Sequence, residues 1–460
     1  MRILWISLLG LLVLGFAFGP AMLSHQPPTD EELKIVSPHW DGIRYEFEHA
    51  FAKTYFEKTG KRVRVVWMDI GGTGEIRKWL DQRFAQTPPD QGVGIDLLFG
   101  GGMDMLPDMV KKHYLDPYKP PPDFIAAIPP EVNNMTLREK DCLYHATCLS
   151  MFGFVYNANV IELARLPAPK TWADLGAPPM HGWVTCGDPG TSGSLHLAFE
   201  LVLQGEGWEK GSATLNRLAS NARTFNEGGT SIPRDVSLGQ AAAGPCIDFY
   251  ASAPARRQGA THLKFVVPDG MAVPTPDCIA KLRSPPNPRV SDAFIEFVLS
   301  EAGQRLWYQR RGDPGGPAEY DLERLPVMPA LYEKGLATNT VVNPFKTVPS
   351  FNYDGVKSGM RWTTLNDLWK TTWIDVHEEH WAARSAAIKA GREDDLGPAL
   401  ARAPMTEDAI RQIAQRRMTS DQRNVLKNKW TSWARTWYQA IERAAETHGP
   451  VPDFLPAPEK

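Results

Sequence analysis

The sequence predicts an α/β protein with a helical C-terminal tail, and three observations carry that prediction. Before residue 105 a strand runs three times into a small-residue loop and then a helix. In the middle of the chain Asp188-Pro189-Gly190-Thr191-Ser192-Gly193-Ser194 joins one more strand end to one more helix start. Beyond about residue 320 these repeats stop and only helical periodicity is left. Repeated strand–loop–helix units make a sheet covered by helices, whose ligand crevice lies beyond the carboxyl ends of the strands.

The chain has 460 residues, enough for two or three domains with sizeable cores. With 43% hydrophobic residues, 22% charged residues and a formal net charge of -3, it has an ordinary globular composition and no general attraction for nucleic acid. Residues 1–26 differ in kind: Arg2 precedes an apolar run from Ile3 to Phe18, broken only by Ser7 and glycines. This is the layout of an export signal, either cleaved or, if the run continues through Leu23, retained as a membrane anchor over residues 3–23. The body is therefore expected to be periplasmic or otherwise extracytoplasmic. Five cysteines in so long a chain exclude a disulfide framework. Cys142 and Cys148 are close enough in sequence to pair, with buried free thiols as the equal alternative.

Residues 33–37 form the first predicted strand, which runs into Pro38-His39-Trp40-Asp41-Gly42. A helix follows, with Ile43, Phe47, Ala50, Phe51 and Tyr55 as its apolar stripe. Residues 62–67 form the second strand, since Val63, Val65 and Val66 are β-branched, and it ends in Gly71-Gly72-Thr73-Gly74 before another helix. Residues 95–99 form the third and close in Gly100-Gly101-Gly102-Met103-Asp104. Two strands, 142–148 and 151–156, are placed to carry the chain from one lobe to another. Residues 183–186 are a short buried strand, and Leu195, Leu197, Ala198, Leu201 and Val202 open a helix.

The 188–194 loop thus sits at a helix N-terminus, where the first amides have no helical partner and the macrodipole favours an anion. Read without its surroundings the loop is as well a plain cap, with Thr191 or Ser192 as the capping side chain. A second helix over 207–220 follows, then the loop 226–231, a strand 246–250, a returning strand 264–267 and a helix 292–306. In the tail, 362–389, 406–417 and 420–446 are helical by periodicity, and Leu426, Trp430, Trp433, Trp437 and Ile441 make a packing stripe. The proline-rich end reads as disordered.

Four stretches taken in order resemble the extracellular solute-binding proteins of bacterial ABC importers. They are Phe152-Gly153-Phe154-Val155-Tyr156-Asn157, Pro169-Lys170-Thr171-Trp172-Ala173-Asp174-Leu175, the 188–194 loop and Phe297-Val298-Leu299-Ser300-Glu301-Ala302-Gly303-Gln304. The likeness spans residues 35–311 and is to the ferric-ion, sugar-phosphate and phosphonate-type group, with its two-lobed class II periplasmic-binding-protein fold. It implies lobe 1 over 30–148 plus 264–320 and lobe 2 over 149–263, and the helical periodicity beyond the likeness makes 321–460 a C-terminal helical extension. The lobes would close like a hinge on a small anionic solute and deliver it to an ABC transporter permease and its ATPase. The protein would be a monomer, with no enzymatic activity and no resident cofactor.

By the same resemblance His39, Trp40, Asp41, Thr73, Gly74, Gly101 and Gly102 line the cleft from the first lobe. Thr191, Ser192, Gly193, Ser194, Gly229, Thr230, Asp248 and Tyr250 line it from the second. Ferric-ion binders of the family use two adjacent tyrosines, because phenolate oxygen is a hard donor suited to a hard cation. Here Phe249 precedes Tyr250, which leaves Tyr250 with His39 as the metal candidates and Asp41, Glu75, Asp104 and Asp248 as further ligands. With the donor loop intact and the tyrosine pair broken, an organic solute bearing phosphate or phosphonate is expected ahead of ferric ion with a synergistic anion.

Two other chemistries fit less well. Gly190-Thr191-Ser192-Gly193-Ser194 lacks the last glycine of a G-x-S-x-G nucleophile elbow. His377-Glu378-Glu379-His380 is one residue short of H-E-x-x-H, which leaves Asp375, His377 and His380 with structural roles. A membrane-anchored sensor or scaffold that reuses the binding fold, with the tail as its partner surface, is the alternative to transport.

Overall fold

The computed structural model of the chain describes residues 29–251, 262–333, 343–346 and 349–460. The export or anchor segment expected at 1–26 lies outside them. Among the described residues no helix is long and apolar enough to cross a membrane.

In chain order the strands are β1 (Glu31–Val36), β2 (Val63–Met68), β3 (Leu97–Phe99), β4 (Leu115–Asp116), β5 (Glu131–Val132), β6 (Met135–Thr136) and β7 (His145–Ser150). They continue with β8 (Phe152–Asn157), β9 (Val184–Gly187), β10 (Ala222–Asn226), β11 (Ala243–Ile247), β12 (Leu263–Val266), β13 (Thr275–Leu282) and β14 (Leu325–Pro326). The first sheet runs β14-β7-β13-β3-β1-β2, with β4 beside β13, and the second runs β10-β9-β11-β8-β12. β1 pairs in parallel with β2 and β3 in the first sheet, and β9 pairs in parallel with β10 and β11 in the second, whereas β13 and β8, next to the crossings, pair antiparallel with their neighbours. This mixed architecture is the one expected from the repeats.

The chain leaves the first sheet after Ser150, enters the second at Phe152, and returns between Val266 and Thr275. The lobe divisions expected at 148/149 and 263/264 therefore move by a few residues, and β14 adds to the first sheet beyond residue 320. The first crossing is pinned by one residue. Met151 N–H donates to Asp248 Oδ2 at 2.9 Å, and Asp248 N–H donates to the Met151 carbonyl at 3.0 Å.

The helices that build the core and the cleft include α1 (Asp41–Thr59), α2 (Thr73–Ala85), α3 (Gly193–Glu206), α4 (Trp208–Asn221), α5 (Pro288–Leu299), α6 (Glu301–Tyr308), α7 (Gly355–Trp369), α8 (His377–Lys389) and α9 (Ser420–Glu446). The first core is aromatic: Phe47 on α1 meets Phe99 at 5.3 Å, and Phe51 meets Phe294 on α5 at 4.9 Å. Eight buried residues make β13, although Pro276, Asp277 and Lys281 break its apolar pattern. Each buried charge has a partner, Lys281 reaching Asp292 at 2.7 Å, which is the condition for burying it.

The extension packs mainly on the second lobe. Trp373 donates its indole N–H to Asn216 of α4 at 2.9 Å, and His380 on α8 stacks on Tyr438 of α9 with ring centroids 4.2 Å apart. The single helix expected over 362–389 is divided: α7 passes into a π-helical turn, Lys370–Ile374, and the chain breaks direction before α8. Asp375, His377 and His380 do not converge. Asp375 pairs with Lys370, and His377 bonds the Ala222 carbonyl at 2.8 Å.

The expected disorder of the C-terminus is not found. Trp430 and Trp433 donate to the carbonyls of Pro458 and Leu455 at 2.8 Å each, and Ala457 N–H reaches the Pro404 carbonyl at 2.8 Å. Indole N–H groups beside an apolar stripe need acceptors, and the extended tail supplies them. All five cysteines are free thiols, Cys142 partly exposed and Cys148 buried in β7.

Candidate functional site

Between the two sheets lies a cleft of about 980 Å³. Loops that follow β1, β2 and β3 line one side, and loops that follow β9, β10 and β11 line the other. Both sheets thus turn the carboxyl ends of their parallel strands to one crevice.

The 188–194 loop is the most built part of the second wall. Gly190 N–H donates to Asp188 Oδ1 at 2.7 Å, and Ser192 N–H donates to the Asp188 carbonyl at 3.1 Å, which tightens the turn after β9. Thr191 Oγ1 donates to the carbonyls of Asp188, at 3.1 Å, and Glu227, so it caps nothing. Ser192 holds the N-cap position of α3 with extended backbone, yet its hydroxyl makes no capping bond and lies 3.0 Å from Ser194 Oγ. The capping expected of Thr191 or Ser192 is absent because both hydroxyls are engaged elsewhere. The first amides of a 14-residue helix are left uncapped at the cleft, with two hydroxyls beside them.

Across the cleft stands a buried triad. Arg324 Nη1 donates to Asp277 Oδ2 at 2.7 Å, His39 Nε2 lies 3.0 Å from the same oxygen, and Arg324 Nη2 donates to Ser150 Oγ at 3.1 Å. Gly102 N–H donates to Asp277 Oδ1 at 2.9 Å, made possible by left-handed φ angles of 96°, 94° and 74° at Gly100, Gly101 and Gly102. The Arg324 guanidinium also stacks over Phe249, 4.3 Å from its ring centre. Burial would raise the Asp277 carboxyl, but the Arg324 charge, helped by the hydrogen bonds of His39 and the Gly102 amide, holds it well below the usual range. Burial lowers His39 more than Asp277 raises it, so the imidazole is neutral near pH 7. Burial pushes the Tyr250 phenol up to about 12, which keeps it protonated.

Most residues expected at the site meet there. His39, Trp40, Thr73, Gly101 and Gly102 line the cleft from the first sheet. Thr191, Ser192, Gly193, Ser194, Gly229, Thr230 and Tyr250 line it from the second. Three do not. Asp41 opens α1 with its side chain 98% exposed. Gly74 is packed under the loop, where a methyl group would come within 2.3 Å of the Gly190 carbonyl. Asp248 holds the crossing at Met151 instead of facing solute, and burial pushes it up to about 7. It also does not end a strand: β11 stops at Ile247, and Asp248 and Tyr250 lie on the helical turn after it.

Asp277, Arg324 and Ser150 went unforeseen, as did Trp362, Lys370 and Ile374 of the extension, all of which line the cleft. Asp277 is the lone charge of 271–280, a sign that it has a partner somewhere, because a buried charge needs one. Arg324 stands beside Glu323 and carries no such mark. Among the described residues no three His, Cys, Asp or Glu side chains come together to hold a metal. Neither Ser192 nor Ser194 has a histidine at its hydroxyl among them.

A family model described as bacterial extracellular solute-binding protein matches residues 89–326, over half of the chain. The phosphoglycerate transport regulatory protein PgtC of Salmonella typhimurium is 32% identical over 161 residues, 35% of this chain. The match spans 40% of that relative's length. The periplasmic binding protein AfuA from Actinobacillus pleuropneumoniae, solved with fructose-6-phosphate, superposes with a TM-score of 0.59 at 20% identity. It covers 74% of this chain and 98% of its own. Iron-bound HitA from Pseudomonas aeruginosa gives 0.56 at 19% identity, with 74% and 98% covered. The fold is therefore that of two-lobed periplasmic binding proteins, and about a quarter of this chain lies outside each superposition.

Proposed function

The chain belongs to the family of bacterial extracellular solute-binding proteins, and on that premise we propose that it captures an organic solute through a phosphate or phosphonate group and hands it to an ABC transporter outside the cytoplasm. The observation that carries this reading is the uncapped N-terminus of α3, opening into the cleft with the Ser192 and Ser194 hydroxyls beside it. Backbone amides and hydroxyls there match the acceptor oxygens of a phosphate, and the helix dipole adds to them.

The first wall supports an organic anion over ferric ion. His39 Nε2 is 3.3 Å from the Arg324 guanidinium, a fixed cation that repels a metal at that nitrogen. Tyr250 stands without a second tyrosine beside it, and a cleft of about 980 Å³ has room for more than an ion and its anion. Fructose-6-phosphate in AfuA and the phosphoglycerate in the name of PgtC belong to the same chemical class.

The test is calorimetric titration of the protein with 3-phosphoglycerate and with fructose 6-phosphate. One of them is expected to bind, and Ser192→Ala with Ser194→Ala to weaken it about tenfold or more while the melting temperature holds. Unchanged affinity in the double variant removes the loop from the site. A second reading, a sensor that reuses the binding fold, is favoured by the regulatory role in the name of PgtC. A permease and ATPase encoded beside the chain would support transport, and a histidine kinase there would support sensing.

A further inference from the structure

The extension does more than clasp the second lobe. Trp362, Asn366, Lys370 and Ile374 follow one another at four-residue spacing along α7 and its π-helical turn, which sets them along one side of the rod. That side runs beside the N-terminal turn of α3. Asn366 Oδ1 is 2.8 Å from His196 Nδ1, the Trp362 ring stacks on His196 with centroids 3.7 Å apart, and the Asn366 Cβ lies 3.8 Å from where a Cβ on Gly190 would stand. Trp362, Lys370 and Ile374 then form part of the cleft wall.

Among the described residues the arginine and lysine side chains lining the cleft are Arg324 and Lys370. Arg324 is buried against Asp277. Asp188 and Glu227 flank the donor loop, and Glu75 lines the same cleft. An anion at Ser192–Ser194 therefore enters among carboxylates and needs a mobile positive charge near the loop. Lys370 has one. Its pairing with Asp375 is half exposed, the side chains being 42% and 34% accessible, so exchanging that partner for a phosphate costs little. Its four-carbon stem supplies the reach.

We propose that the C-terminal extension completes the solute site, with Lys370 as the side chain that binds the anionic group held at the 188–194 loop. This rests on the reading that the anion sits at that loop. It makes the extension a determinant of affinity.

The experiment titrates the full chain with 3-phosphoglycerate and fructose 6-phosphate, comparing wild type with Lys370→Met, Lys370→Arg and Asp375→Asn. Lys370→Met is expected to bind the accepted probe about tenfold more weakly, with a shallower dependence on salt. Lys370→Arg restores binding, and Asp375→Asn binds at least as tightly as wild type. If the lysine only completes an ion pair, Lys370→Met and Asp375→Asn weaken binding alike, and the proposal fails. It fails too if Lys370→Met keeps wild-type affinity, which leaves the reading of the loop standing. Wild type that binds neither probe overturns both.

Discussion

Arg324 and Asp277 meet at 2.7 Å with side chains only 4% and 9% exposed. Removing one partner of such a pair leaves the other charge buried and alone, which costs about 3–5 kcal/mol, whereas replacing both is far milder. Arg324→Leu should therefore lower the denaturation midpoint strongly, and adding Asp277→Leu should recover much of the loss in urea titrations. A double variant no more stable than Arg324→Leu would mean that the pair is not coupled. The pH dependence has a definite sign. A carboxyl held below its unfolded value contributes stability above about pH 4, lost as the pH falls, so this acid-side contribution should vanish in Arg324→Leu. Single residues were legible in the sequence in proportion to how local their roles are. Ser192 and Ser194 announce themselves through neighbours in the chain. Asp277 and Arg324 lie 47 residues apart, and neither has a local pattern that says which charge it meets. Asp248 showed the opposite failure: its position near Tyr250 suggested a ligand, but its bond is to Met151, 97 residues away.

Helices and strands with strong periodicity were legible for the same reason. α9 was bounded correctly because its stripe repeats over many turns, and β1 to β3 were located, with ends shifted by a residue or two, because each runs into small residues before a helix. β13 was not, since its polar residues are satisfied only by other elements. The break between α7 and α8 also left no proline or glycine as a mark. One carboxylate holds the start of α7 to the first lobe, beside the Arg77 guanidinium over the Trp362 ring. Asp104 Oδ2 accepts from Ser358 Oγ at 2.7 Å and Tyr353 OH at 2.8 Å, while Oδ1 is buried without a partner among the described residues. Burial outweighs those two bonds and pushes the carboxyl up to about 7. The folded chain then holds a proton that the unfolded chain releases near pH 4, so this group's stabilisation is complete at low pH and lost as the pH rises through about 7. Asp104→Asn keeps the acceptor oxygen and has no proton to lose. Between pH 5 and 8 its melting temperature should fall less, or rise more, than that of wild type, and parallel curves would dismiss Asp104 as a titrating group.

At the scale of the whole molecule, the extension touches both lobes and a crossing between them. α7 reaches the first lobe through Asp104 and the second through Arg361, whose guanidinium makes two 2.7 Å bonds to Glu200. The arm before α7 rests on the second crossing, where Ser350 N–H and Oγ both donate to the Gly270 carbonyl, at 3.0 and 2.7 Å. Opposite these, the 71–74 loop of the first lobe presses on the 188–194 loop of the second. A methyl group on Gly72 would stand 2.3 Å from the Thr191 carbonyl, closer than any real contact. Gly72 has extended backbone, φ -76 and ψ 180, which alanine adopts freely, so the substitution strains the contact between lobes and not the loop itself. The clash is backbone against methyl, and rotation of a side chain cannot relieve it. Gly72→Ala should hold the lobes apart: small-angle scattering would give a larger radius of gyration than wild type, and affinity for the accepted organic phosphate would drop while the melting temperature changes little. The same radius and affinity as wild type would show that solute binding does not need the 71–74 and 188–194 loops to touch.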